Sequence, residues 1–220
     1  MLSEPTLTSR AEYGRAAPLL VWRSEGPLRA ISSGPLGGGI GVRRWVLNAT
    51  VSMSYDRDDP AAHLAALAAD LALDGPGVGL LTGVDVAEVV ARTDTGVRAW
   101  ATVGLGTPVP AAAPAPAVLA QPVGTVNIVV YVPARLADAA LVNAVATATE
   151  AKTQAIMELG LAATGTPTDA VTVLCPVDGS EAAYGGPRST WGAPLARAVH
   201  AAVLAGGDRP VVPWSDQVTS

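Results

Sequence analysis

One stretch limits what this chain can fold into more than any other: an apolar helical stripe followed at once by an apolar strand. Between about Leu136 and Leu161, residues Leu141, Val145, Ala148, Ala155, Ile156 and Leu159 fall at helical spacings, which predicts a long helix with one buried face. Glycines 160 and 165 end it. Ala170–Cys175 then reads as a strand that is apolar almost throughout, as an interior strand of a sheet is. A helix with one apolar stripe beside such a strand must lie on a sheet.

Lys152 sits on that stripe, three residues before Ala155 and four after Ala148. Two readings follow. Either its stem is buried with the ammonium kept wet, or the ammonium is aimed into a cleft, where it can hold an anionic oxygen or act as a base. Glu150 shares a polar stripe with Asn143, Thr147 and Gln154, the pattern of a solvated face. Residues two apart stand about 200° apart around a helix, so Glu150 and Lys152 cannot share one narrow pocket.

Between helix and strand lies Thr164-Gly165-Thr166-Pro167-Thr168-Asp169. Glycine and proline make it a turn. Turn capping explains one or two such side chains; three threonines and a carboxylate within six residues point to a ligand site.

Upstream, Leu19–Arg23 and Leu28–Ser33 read as strands of a hairpin across Glu25-Gly26-Pro27. The run Gly37-Gly38-Gly39 lets a ligand approach the main chain, although no Gly-Lys-Ser/Thr follows it and its spacing is not that of a dinucleotide fingerprint. Arg44–Met53 alternates, which sends Asn48 to the more polar face of a strand. Asp59 and Pro60 open a helix to about Leu73, with His63 in its first turn at the surface. Val78–Thr82 is a short strand, and Val86–Arg92 pairs with Val97–Leu105 across Asp94-Thr95-Gly96, unless its first member is a short helix. The Pro/Ala-rich segment 107–122 reads as a loop or lid. Asn127 is a second amide inside an apolar strand. A last helix covers about Pro194–Leu204.

The length of 220 residues suits one domain, expected over 18–205 with loose termini at 1–17 and 206–220. Hairpins precede helix–strand units, so the fold class is α+β, a mixed sheet with helices packed on it; an α/β layered arrangement is the alternative. A formal charge of −5 and an isoelectric point near 4.9 argue against a nucleic-acid surface or a polybasic membrane anchor. One cysteine, Cys175, rules out a disulfide framework and a cysteine-rich zinc site. No apolar run has the ~20 residues of a membrane span, nor does the start resemble a signal peptide; the cytoplasm is the expected location.

The chain has two histidines, neither near a Gly-x-Ser-x-Gly elbow nor at metal-ligand spacing. The junction Gly124–Thr125 would permit an N-terminal-nucleophile scheme. What remains is Asn48, Asn127, Glu150, Lys152, Thr166 and Asp169, a set suited to an amide-rich substrate and to polarising a carbonyl.

In order along the chain stand Leu36-Gly37-Gly38-Gly39, the Asn48 strand, Gly79-Leu80-Leu81-Thr82, Ala101-Thr102-Val103-Gly104-Leu105, Gly124-Thr125-Val126-Asn127-Ile128, Thr149-Glu150-Ala151-Lys152-Thr153, Thr164–Asp169 and Tyr184-Gly185-Gly186. This series resembles the adenosylcobinamide amidohydrolase family from about Leu28 to Leu204. The Glu-Ala-Lys-Thr and Thr-Gly-Thr-Pro-Thr-Asp pieces are its specific part, and the Pro/Ala-rich loop departs from it. The resemblance implies a cytoplasmic salvage enzyme that hydrolyses the amide between aminopropanol and the corrin ring, giving adenosylcobyric acid and 1-amino-2-propanol. It implies a corrinoid substrate; no cofactor is expected beside it, and no metal-binding residue is singled out. Glu150 or Asp169 is the expected base, with Lys152, Asn127 or Asn48 on the oxyanion; Gly38, Gly39, Thr166 and Thr168 join the amides in binding substrate. A wide, partly apolar pocket with a Trp on its wall is expected to gather all of them. A corrinoid-binding module without catalysis is the alternative.

Overall fold

The computed structural model describes residues 1–12, 14–114 and 124–210. Among these residues eight strands form one mixed sheet: β1 (Thr6–Glu12), β2 (Arg15–Ser32), β3 (Gly39–Thr50), β4 (Gly77–Thr82), β5 (Val90–Asp94), β6 (Val97–Val103), β7 (Val126–Tyr131) and β8 (Ala170–Pro176). Their order is β4-β3-β2-β8-β7-β6-β5, with β1 paired to β2. The β3–β4 and β7–β8 pairs are parallel and the others antiparallel. The described residues also form three α-helices: α1 (Pro60–Asp70), α2 (Asp138–Glu158) and α3 (Gly192–Gly207). The α+β class with one mixed sheet is as the sequence reads.

Strand β2 departs from that reading and shapes the molecule. The expected hairpin at Glu25-Gly26-Pro27 is a wide bulge inside one strand of 18 residues. Arg23 pairs with Trp45 and Leu28 with Arg43, so residues 24–27 all stand opposite Arg44. The Ser24 hydroxyl donates to the Arg44 carbonyl at 2.9 Å and reaches the Gly26 carbonyl at 2.5 Å, supplying bonds the ladder has lost. Such a bulge bends a strand and increases its twist. The first half of β2 holds β1, and the second half holds β8. The sheet therefore turns at the bulge and closes face to face on itself.

Alternating side chains show the layers. Leu20, Trp22, Val46, Val78 and Leu80 from one wing pack with Trp100, Val129, Tyr131 and Leu174 from the other in a shared core, and Trp22 meets Trp100 edge to face at 6.0 Å. The outer face of the first wing, through Leu19, Val21, Trp45 and Leu47, is covered by Leu64 and Leu67 of α1. The outer face of the second, through Ile128, Val130, Val171 and Val173, is covered by α2 and α3. Four layers result, helix–sheet–sheet–helix.

In α2 the buried residues are Ala140, Leu141, Ala144, Thr147, Ala148, Ala151, Lys152, Ala155 and Ile156. The expected stripe thus faces the sheet, widened by small alanines, with Val145 and Leu159 at its margin. The lead-in expected to be loose over 1–17 contains β1, registered with β2 from Thr6↔Val21 to Glu12↔Arg15. Residues 86–92 combine both readings offered for them, a single 3₁₀ turn at Val86–Glu88 and then β5. The tail from 211, including Trp214, and residues 115–122 of the Pro/Ala-rich segment lie outside the described residues. Among the described residues no helix is long and apolar enough to cross a membrane.

Candidate active site

A cavity of ≈ 430 Å³ opens at the end of the sandwich, where the two wings part. One wall comes from the ends of β3 and β4 and the segment after β3: Val51, Ser52, Met53, Tyr55, Leu81, Thr82 and Gly83. The other comes from the starts of β7 and β8: Gly124, Thr125, Asn127, Thr168, Asp169 and Ala170. Ser33, Pro35 and Pro60 close the rim. Parallel pairing of β7 with β8, Asn127 beside Ala170, brings Thr125 and the threonine turn to the same end of the sheet. Residues over forty positions apart in sequence become neighbours there.

Asp169 is the hub of that wall. Its Oδ1 accepts from the Val126 amide at 2.8 Å and from the Thr166 hydroxyl at 2.5 Å. Its Oδ2 accepts from the Thr166 amide at 3.0 Å and from the Lys152 ammonium. A carboxylate has about four lone-pair sites, and all are taken. The Lys152 side chain, from the apolar stripe of α2, is 7% exposed and ends in this ion pair. Its stem is buried and its charge neutralised behind the cavity wall, so neither reading offered for the residue describes it fully.

The Gly124 carbonyl lies 3.0 Å from the Thr166 hydroxyl, which gives its hydrogen to the nearer Asp169, and accepts from the Thr168 hydroxyl at 3.2 Å. The Thr125 and Thr168 hydroxyls lie 2.6 Å apart. Gly124 has φ +149°, and a Cβ there would stand 2.5 Å from the Gly104 carbonyl oxygen, so only glycine fits where the chain enters β7.

The two strand amides form one network between the wings. Asn48 Nδ2 donates to the Thr102 hydroxyl at 3.0 Å, and its Oδ1 accepts from Asn127 Nδ2 at 2.9 Å. Asn127 Nδ2 also donates to the Leu81 carbonyl at 2.9 Å. Both amide hydrogens of Asn127 are thereby spent inside the protein, and the group it offers the cavity is its oxygen, an acceptor.

Of the residues selected from the sequence, Asn127, Thr168 and Asp169 line the cavity, and Asn48, Lys152 and Thr166 stand directly behind it. Three lie elsewhere. Glu150 is on the exposed face of α2, in a shallow groove with Thr153, Gln154 and Met157. Gly38 and Gly39 belong to the turn into β3, where the Arg43 guanidinium holds the Gly37 and Gly38 carbonyls; from that loop Ser33 and Pro35 reach the cavity instead. Among the described residues no Trp lines the wall, and the aromatic residue there is Tyr55. Sequence reading passed over Tyr55 and placed its partner His63 at the surface, where it is half-buried; the available signal for Tyr55 was one aromatic in the polar segment after the Asn48 strand. The described part of the Pro/Ala-rich segment joins the site from outside, with Val109 and Gly165 bridged by the Val109 amide at 2.8 Å.

The model of the adenosylcobinamide amidohydrolase family matches residues 4–211. The chain belongs to this family. It is 30% identical to an adenosylcobinamide amidohydrolase of Methanosarcina mazei over 191 residues, 83% of this chain and 91% of that one. It is 36% identical to another of that name, from Halobacterium salinarum, over 146 residues, 64% of this chain and 63% of the relative. The chain is an amidohydrolase by family, and the match begins at residue 4, so it takes in β1 as well as the stretch the motifs marked. Among the described residues no group of three or more His, Cys, Asp or Glu side chains stands close enough to hold a metal.

Proposed function

We propose that the chain hydrolyses the amide linking aminopropanol to the corrin ring of adenosylcobinamide, in the cytoplasm, releasing adenosylcobyric acid and 1-amino-2-propanol for reuse in cobalamin synthesis. Family membership supports the substrate. The observation that carries the reading is the cavity itself, in which hydroxyls of Thr125 and Thr168 and the amide oxygen of Asn127 converge on one small volume. At ≈ 430 Å³ it is near the low end for sites of drug-sized ligands. A corrin carrying an adenosyl group is far larger, so the side arm enters and the macrocycle rests across the mouth.

The roles follow from the hydrogen bonds. Asn127 Oδ1 accepts the N–H of the scissile amide, its orientation fixed by Asn48. The Thr168 hydrogen can turn from the Gly124 carbonyl to Thr125, and the Thr125 hydrogen is then free for the developing oxyanion. Asp169 has no lone pair left for a proton; it and Lys152 position the threonine turn. Glu150 takes no part, and no cofactor or metal is invoked, the corrinoid being the substrate. Incubation of the purified protein with adenosylcobinamide, followed by chromatographic identification of a corrinoid acid and free aminopropanol, tests the reading. Tight binding without product would identify a corrinoid-binding module instead.

A further inference from the structure

We infer that Tyr55 and His63 form the proton-transfer dyad of the cavity, with Tyr55 the catalytic residue and His63 the group that accepts its proton. This rests on the amide-hydrolysis reading and adds to it the base that reading lacks. Hydrolysis of an unactivated amide needs a group to take a proton from water and return it to the leaving nitrogen. Among the described residues lining the cavity, the titratable side chains are Asp169 and Tyr55, and Asp169 is saturated with donors.

Tyr55 stands on the wall opposite Asp169, carried by the segment after β3 that also supplies Val51, Ser52 and Met53. Its hydroxyl is 3.1 Å from His63 Nδ1. The rings lie nearly parallel, 20° apart with centroids at 5.6 Å, which fixes both. His63 sits in the first turn of α1, where its backbone amide donates a hydrogen bond to the Asp59 carbonyl at 3.1 Å. With Tyr55 donating to Nδ1, the phenol oxygen keeps its acceptor capacity, and the residue lines the cavity. Burial and the Arg57 and Arg10 guanidiniums hold the imidazole below its ordinary pKa, and Glu12 and Asp59 oppose them weakly. Arg10 and Glu12 face the ring from β1, Arg57 and Asp59 from the loop before α1. His63 is therefore neutral, and able to accept, at neutral pH.

The step balances. Water gives a proton to the Tyr55 oxygen as Tyr55 gives its own to His63 Nδ1. The resulting hydroxide bonds to the amide carbon. The C–N bond then breaks as the proton returns through Tyr55 to the departing nitrogen, leaving carboxylic acid and amine with the dyad restored.

The test measures cleavage of adenosylcobinamide by the full chain across about pH 5–9, for wild type, Tyr55→Phe and His63→Gln. Tyr55→Phe is expected to lower kcat by ~10²–10⁴-fold with KM little changed. Wild-type kcat should fall at acid pH as His63 protonates, and His63→Gln, which keeps an acceptor for the phenol but cannot titrate, should be slow and lose that acidic limb. Tyr55→Phe within about threefold of wild type, or an acidic limb that survives in His63→Gln, overturns the assignment. If the wild type cleaves no adenosylcobinamide, the substrate reading fails, and the dyad is judged by the His63 titration in NMR spectra. Tyr55→Phe must move that titration; an unmoved curve overturns the coupling.

Discussion

Replacing Lys152 with alanine tests whether its pair with Asp169 is a structural joint. Both side chains are nearly withdrawn from water, 7% and 10% exposed. Removing one partner of a buried pair strands the other charge, at about 3–5 kcal/mol. Lys152→Ala strands Asp169, but that carboxylate keeps the Val126 amide, the Thr166 amide and the Thr166 hydroxyl. Its charge stays hydrogen-bonded, so the cost belongs at the lower end, about 3 kcal/mol. In a chain of this size that is a fall in Tm of roughly 6–12 °C. Asp169→Ala strands Lys152 and orphans the Val126 and Thr166 amides as well, while the Thr166 hydroxyl can turn to the Gly124 carbonyl, so about 5 kcal/mol is expected. The inequality is the discriminating quantity. Thermal and urea melts of both variants measure it, with turnover read well below each Tm. Lys152→Ala melting within about 1 °C of wild type while losing turnover would refute the reasoning, because the lysine would then be acting in the chemistry. Asp169→Ala no less stable than Lys152→Ala would show that the four donors do not count as supposed.

Other outcomes follow from the same geometry. Glu150→Gln, on the exposed face of α2, should leave turnover unchanged and stability within about 0.5 kcal/mol in a melting curve. Asn48→Ala removes the acceptor of Asn127 and the donor to Thr102; a loss of about 1–3 kcal/mol in urea unfolding is expected, with KM raised because the Asn127 amide is free to turn. Gly37→Ala, at φ +68° with its new Cβ 1.9 Å from the Gly77 carbonyl oxygen, should yield little folded protein, whereas Gly26→Ala, with open space around it, should fold normally; solubility and circular dichroism compare them. Asp94, held at about 2 by Arg197 and the Thr95 hydroxyl, has its pKa depressed on folding. Its contribution is therefore present above the unfolded value of about 3.9 and lost as pH falls toward 2. Acid melts of wild type and Asp94→Asn should differ above pH ~4 and converge near pH 2.

The fold was legible where a local pattern has one physical meaning. The α2 stripe, the apolar β8 and the Asp94-Thr95-Gly96 turn formed as read, the turn with Thr95 and Gly96 both at positive φ. Glu25-Gly26-Pro27 misled because glycine and proline mark a break in regular pairing but not its kind. A hairpin and a bulge share that composition. What separates them is the partner: β3 runs beside β2 on both sides of the interruption, and that pairing is not written in residues 24–27. Since the sheet folds back at this bulge, the facing of the two wings, and with it the place of the cavity, could not be read locally.

The site divides along the same line. Asn48 and Asn127 were conspicuous because a strand interior disfavours an amide, yet their job depends on which way each amide is turned. Asn127 donates both hydrogens inward, so a residue that composition offers as an oxyanion donor is an acceptor in place. Asp169 was conspicuous as a carboxylate in a threonine turn, but a general base needs a vacant lone pair, and occupancy is a property of neighbours 17 and 43 positions away in sequence, Lys152 and Val126. Glu150 is exposed on α2, as its polar stripe predicts; its candidacy as a base came from the resemblance and its place two residues from Lys152, and not from the helix pattern. Tyr55 carried the weakest signal, one aromatic in a polar segment, and receives its meaning only when the ends of β3 and β7 are brought together. Residues that build this site were therefore visible by their unsuitability for a strand or a turn, whereas the residue that moves the proton is suited to its loop and is revealed by what faces it.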